Sequence, residues 1–141
     1  MLLSPLLEAA GFFDPPFRSR FEEPIALEVL SDDPEPIVYR GRLDTLVVHD
    51  RLWILVIEAK RMSFSLENGL TQLLGSMLAH PVADRPLFGL LTNGSHDRFL
   101  KLQKTAQTCQ YAKSDEFLLE RSGELEQVLG ILKRLAGSIA V

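Results

Sequence analysis

Gly41-Arg42-Leu43-Asp44-Thr45-Leu46-Val47-Val48-His49-Asp50-Arg51-Leu52-Trp53-Ile54-Leu55-Val56-Ile57-Glu58-Ala59-Lys60 is the stretch on which the fold turns. Its apolar runs, broken at His49-Asp50-Arg51, describe two strands joined by a tight hairpin. The charged residues sit oddly in that pattern. Asp44 interrupts the first strand near its middle, and Glu58 with Lys60 closes the run Leu52 to Ile57, which otherwise reads as buried β-structure. Burying an unpaired charge is costly, so these groups need one another, water at the sheet end, or a cation.

Strand geometry decides whether they meet. Side chains alternate, so Glu58 and Lys60 share a face and Ala59 points away. A two-residue loop at Asp50-Arg51 would pair Asp44 with Ile57 and put Glu58 on the opposite face. A three-residue loop, His49 to Arg51, would pair Asp44 with Val56 and bring Glu58 diagonally beside it. Convergence of the acids therefore requires an odd loop or a bulge in this hairpin.

Working outward, Ile25–Leu30, Ile37–His49 and Leu52–Lys60 form a predicted three-stranded antiparallel meander, with Ser31-Asp32-Asp33-Pro34-Glu35-Pro36 as the first turn. Leu2–Ala10 reads as a short helix stopped by Gly11. Phe12–Pro24 is expected to be irregular because it holds Pro15, Pro16 and Pro24, while Phe12, Phe13, Phe17 and Phe21 require apolar cover. After the meander, Leu66, Leu70, Leu73, Leu74, Met77 and Leu78 follow a helical period that ends before Pro81. Pro86–Leu91 is a short strand leading into the turn Thr92-Asn93-Gly94, and Arg98–Gln103 is its hairpin partner. A last helix carries Leu125, Val128, Leu129, Leu132 and Leu135, with Glu124 and Glu126 early and Lys133 and Arg134 late, as the helix dipole favours. The order is helix, three strands, helix, two or three strands, helix, and a mixed sheet flanked by helices fits it.

The chain has 141 residues, 46% of them hydrophobic, enough for a single packed domain spanning 1–141. No apolar run approaches the roughly 20 residues of a membrane helix, and no basic leader precedes the first apolar segment, so a cytoplasmic protein with no membrane partner is expected. Cys109, the only cysteine, excludes an internal disulfide and a CxxC zinc site, and ordinary packing is its expected role. A net charge of −4 argues against a pure nucleic-acid binder. It argues less against a metal-dependent nuclease, whose acidic ligands lower the net charge while the bound cation restores positive potential.

If Asp44 and Glu58 converge beside Lys60, the set suits metal-assisted phosphodiester cleavage. Carboxylates hold Mg²⁺, or Mn²⁺, while leaving positions for water and phosphate; the Ala59 carbonyl is a further candidate ligand. The metal acidifies water, and Lys60 orients it or stabilises the transition state.

Arg42-Leu43-Asp44, the apolar hairpin and Glu58-Ala59-Lys60 together resemble the PD-(D/E)xK nuclease signature, with Leu43 where a Pro is usual. Ser4-Pro5-Leu6-Leu7-Glu8-Ala9-Ala10-Gly11-Phe12, Gly41 to Asp44, Val56 to Arg61 and Leu91-Thr92-Asn93-Gly94 resemble the N-terminal nuclease domain of type I restriction enzyme motor subunits. This covers nearly the whole chain. The resemblance implies an α/β (α+β) restriction-endonuclease-like fold with a central four-stranded mixed sheet in αβββαβ order, and Mg²⁺-dependent DNA cleavage of the restriction-modification type. It also implies DNA and restriction-modification subunits as partners. In this family the next helix often carries a QxxxY motif. Gln72 matches its Gln and Ser76 stands at the Tyr position, both on a polar edge beside the leucine stripe, where Gln72 would orient Glu58, Lys60 or substrate. An acid that the family often places earlier in the first helix has no counterpart here; Glu8 matches a position not usually assigned to metal.

The catalytic set is thus Asp44, Glu58, Lys60 and Gln72, with Asp44, Glu58 and Ala59 on the metal and Arg42 and Arg61 as phosphate contacts. The plainer alternative is a structural charge cluster in a nuclease-fold module that serves as a DNA-binding or assembly subunit; Ser76 and the net charge favour it. A cleaving version would act on two strands as a homodimer. His49, His80 and His96 lack paired ligand spacing and are expected at the surface. Trp53 alternates onto the face opposite Glu58 and is assigned to the core.

Overall fold

The computed structural model describes residues 3–29, 37–50, 52–60, 66–79, 85–105 and 108–137. In chain order these form α1 (Leu3–Ala10), β1 (Phe17–Val29), β2 (Ile37–His49), β3 (Leu52–Ala59), α2 (Leu66–Leu78), β4 (Leu87–Thr92), β5 (His96–Lys104), β6 (Cys109–Lys113), β7 (Phe117–Leu118) and α3 (Glu124–Gly137). One sheet of seven strands runs β1-β2-β3-β4-β5-β6, with β7 also on β5. Among the described residues only β3 and β4 pair in parallel. The connection between them passes through α2, as a parallel pair requires. The sheet is thus mixed, largely antiparallel and wider than the four strands the resemblance implied.

The two sheet faces bury different helices. On one, Leu6 and Leu7 of α1 and Val128, Leu132 and Leu135 of α3 pack on Val47, Leu55, Ile57, Leu90 and Phe99. On the other, Leu73 and Met77 of α2 pack on Leu46, Val48, Val56, Leu91 and Leu100. α2 lies very close to the sheet. A Cβ at Gly89 would stand 2.7 Å from Met77 Sδ, and one at Gly69 would stand 2.7 Å from Leu91 Cδ1. Both contacts are below van der Waals separation, so a side chain at either glycine would oblige Met77 or Leu91 to shift.

Phe12–Pro24 is not wholly irregular, because β1 begins at Phe17. β1 is an edge strand, the position in a sheet where a proline such as Pro24 is tolerated. Phe12 is fully buried and meets Phe17 edge-on at 5.1 Å, but Phe13 and Phe21 are exposed rather than covered. Gly11 ends α1 as expected, at φ 92°, with its N–H donating to the Glu8 carbonyl. The second hairpin is longer than Arg98–Gln103, and β6 and β7 extend it beyond the two or three strands expected after α2. Cys109 is exposed on the outer strand β6, so it does not pack in a core. His49 and His96 are half-buried; His80, like the turn Ser31 to Pro36, lies outside the described residues.

Candidate metal centre

In the hairpin between β2 and β3, His49 faces Leu52, the register of a two-residue connection, and Val48 faces Trp53. The ladder then jumps to Val47 facing Leu55, leaving Ile54 as one extra residue. This bulge supplies the odd offset that convergence of the acids required, and the three-residue loop does not occur. From Leu46 facing Val56 and Thr45 facing Ile57, the register carries Asp44 opposite Glu58, on the α2 side of the sheet. The same bulge corrects the placement of Trp53. It packs, half-buried, against the α2-side cluster on the face of Glu58, because Ile54 takes up one step of alternation.

Asp44 is half-buried and its Oδ2 accepts the Ala59 N–H at 2.8 Å, which ties the acid on β2 to the end of β3. Glu58 is 0% exposed, and among the described residues neither carboxylate oxygen has a hydrogen-bond partner. Lys60 Nζ stands 3.9 Å from Glu58 Oε2, beyond hydrogen-bond length. Burial pushes the Glu58 carboxyl up to about 7; the neighbouring Asp44 charge, and the hydrogen bond that a protonated Glu58 can give to Asp44, push the same way, and Lys60 opposes them. Lys60 follows the last residue of β3 and is anchored by its own N–H to the Thr92 carbonyl at 2.8 Å. Its ammonium donates to Gln72 Oε1 on α2.

The structure therefore brings Asp44, Glu58, Lys60 and Gln72 into one neighbourhood. Ser76 is not on an exposed polar edge with Gln72: it is buried at 3%. Arg42 is exposed on β2 two residues before Asp44, and Arg61 lies outside the described residues. Among the described residues no three acids, histidines or cysteines converge as a metal cage. The donor set is two carboxylates with the Ala59 main chain between them. Hard oxygen donors and two orphaned, buried carboxylate oxygens fit a divalent cation, which would satisfy the charge that burial leaves exposed to its own repulsion.

Sequence reasoning overlooked Asp97. This residue is 1% exposed at the start of β5, its Oδ1 lacks a partner, and burial pushes its carboxyl up, with the Thr92 hydroxyl and His96 opposing. Only its interruption of the pattern before Phe99 hinted at it. The adjoining turn is internally satisfied: Asn93 Oδ1 accepts the N–H groups of Ser95 and His96 at 3.1 and 2.8 Å, and Gly94 takes φ 94°.

No protein-family model and no curated protein matches the sequence. A solved structure does match: the fragment structure described as an HsdR subunit of a type I restriction enzyme from Vibrio vulnificus YJ016, at TM-score 0.51 and 20% identity. The match covers 92% of this chain and 24% of that one. At this identity the likeness establishes a related fold. No described helix is long and apolar enough to cross a membrane.

Proposed function

We propose that the chain is a Mg²⁺-dependent DNA endonuclease domain of the PD-(D/E)xK kind, acting in a restriction context. The observation that carries this reading is Glu58, fully buried with two unpartnered oxygens, beside Asp44 and within 3.9 Å of an ammonium. The fold it shares with a restriction-enzyme fragment supports DNA as the substrate. Asp44 and Glu58, with the Ala59 carbonyl, would hold the cation, and Mn²⁺ fits the same donors. When bound, the cation supplies an acidified water and neutralises charge developing on the phosphate.

The remaining roles belong to the protein's own groups. The Ala59 N–H fixes one Asp44 oxygen and so aims the other. Lys60, held by Gln72 on α2 and by Thr92 through its main chain, presents an ammonium at the mouth of the acid pair, where it orients the attacking water or an equatorial phosphate oxygen. Arg42 and Arg61 would contact flanking phosphates. Duplex cleavage calls for two copies, one for each strand.

A second reading, a non-cleaving DNA-binding or assembly module, is favoured by the absence of a third converging acid among the described residues. Incubating linear and supercoiled DNA with the purified chain and its Lys60→Ala variant, in Mg²⁺ and in Mn²⁺, separates the two. Metal-dependent nicking that the variant loses is the expected result. No cleavage by the parent, with Mg²⁺ still raising its melting temperature, would leave the module.

A further inference from the structure

The register of the sheet aligns a third carboxylate with the pair already described. Phe21 faces Thr45 and Glu23 faces Leu43, so Glu22 on β1 stands across from Asp44. Thr45 faces Ile57, so Asp44 stands across from Glu58. Glu22, Asp44 and Glu58 thus form one row over three adjacent strands. Neighbouring strands lie about 4.8 Å apart, so a cation over the middle position, Asp44, would stand about one spacing from the strand of each outer acid.

Charged residues on edge strands are common for another reason, since they discourage sheet-to-sheet pairing. Two observations set Glu22 apart from that use. Its φ is 52°, a left-handed value, in the interior of a strand whose pairing continues in register on both sides. A non-glycine residue holds that conformation at a cost, and such costs concentrate where a site is being shaped. The second observation is the receptor itself. Among the described residues Glu58 is buried without a hydrogen-bond partner for either oxygen, in the same row, so the row points at a carboxylate that a cation would stabilise.

We propose that Glu22 is a further oxygen ligand of this cation site, delivered from the edge strand β1. The inference rests on the metal reading above. Without the cation no three acids converge among the described residues, and Glu22 is exposed. An exposed side chain has the rotamers to swing in once a divalent charge balances the repulsion between the carboxylates. With Glu22 recruited, three carboxylates and the Ala59 carbonyl approach a full set of hard ligands and still leave room for water and phosphate.

Calorimetric Mn²⁺ binding to the whole chain tests this, together with melting temperature in chelator and in Mn²⁺, for the parent, Glu22→Gln and Glu22→Gly. Glu58→Gln serves as the reference for a lost ligand. Glu22→Gly removes the carboxylate and also relieves the left-handed strain, so it keeps the backbone while deleting the ligand. Both Glu22 variants are expected to bind Mn²⁺ about tenfold or more weakly, with Glu22→Gly melting no lower than the parent in chelator. Parent-like affinity in both variants, or in Glu22→Gly alone, overturns the assignment. A parent that binds no Mn²⁺ overturns the metal centre with it, and so separates failure of the site from failure of Glu22.

Discussion

Two carboxyls are buried at the same end of the sheet, and they differ in the neighbours that share their burial. Glu58 and Asp97 are 0% and 1% exposed, one strand either side of β4, and burial pushes both carboxyls upward. They face different layers: Glu58 lies on the α2 side, whereas Asp97 shares the side of Phe99, α1 and α3. Asp97 has the Thr92 hydroxyl and a turn whose donors are already matched. Glu58 has a second acid opposite it and an ammonium slightly too far away to bond. Equal burial therefore does not mean equal role. Asp97 keeps one unpartnered oxygen but has a hydroxyl donor in Thr92 and no second acid beside it, whereas Glu58 faces Asp44 and, once ionised, calls for a cation.

Breaking the pair at Glu58 should have the largest effect. Glu58→Gln is expected to lower DNA cleavage by about 10³-fold or more while leaving the metal-free protein folded, because an amide carries no charge into the site. Cleavage rates beside a metal-free thermal melt check both halves. A variant that cleaves like the parent would place the chemistry elsewhere.

The pH dependence of stability sharpens the same contrast. Glu58 titrates near 7 when folded, against an ordinary value of 4.5. Below the lower value the carboxyl is protonated in both states and costs nothing. As pH rises through the window the unfolded chain ionises first, so the metal-free protein should lose stability, roughly 3 kcal/mol in all, with the loss nearly complete by about pH 7. Asp97 shifts in the same direction, so the urea titration is best run in an Asp97→Asn background as well. Saturating Mg²⁺ should flatten the curve, because a bound cation favours the ionised carboxylate. Metal-free stability that stays level from about pH 5 to 8 would contradict the burial argument.

Smaller effects follow on either side. Gln72 is exposed and bonds only the Lys60 ammonium among the interactions described for it, so Gln72→Ala should reduce cleavage about tenfold and leave the melting temperature nearly unchanged. Asp97→Asn should do the reverse. It is expected to shift stability by about 1 kcal/mol, since Asn still accepts from Thr92, and to leave Mg²⁺ binding and cleavage as they were. A loss of metal affinity in that variant would join the two carboxyls into one system and erase the distinction drawn between them.

Much of the architecture was legible because it is written in local periods. The alternation of Ile37–His49 and the apolar run from Leu52 located β2 and β3, and the leucine spacing from Leu66 located α2, since side-chain direction in a strand or helix depends on near neighbours alone. The same stretch showed that Asp44, Glu58 and Lys60 were misplaced charges, and that their meeting needed one residue of offset. Which residue provided it was decided by tertiary structure. Ile54 bulges because the ladder on β2 and the packing on both faces must be satisfied at once, and no local preference in Trp53-Ile54-Leu55 specifies that. β1 extends back through the Pro24 region because it lies at the edge, a position that only assembly of the sheet confers. The alignment of Glu22 with Asp44 and Glu58 is likewise a property of register between strands far apart in sequence. Sequence by itself determined which elements form and which charges are out of place; the long-range hydrogen-bond register, which no short window encodes, decided which of those charges meet.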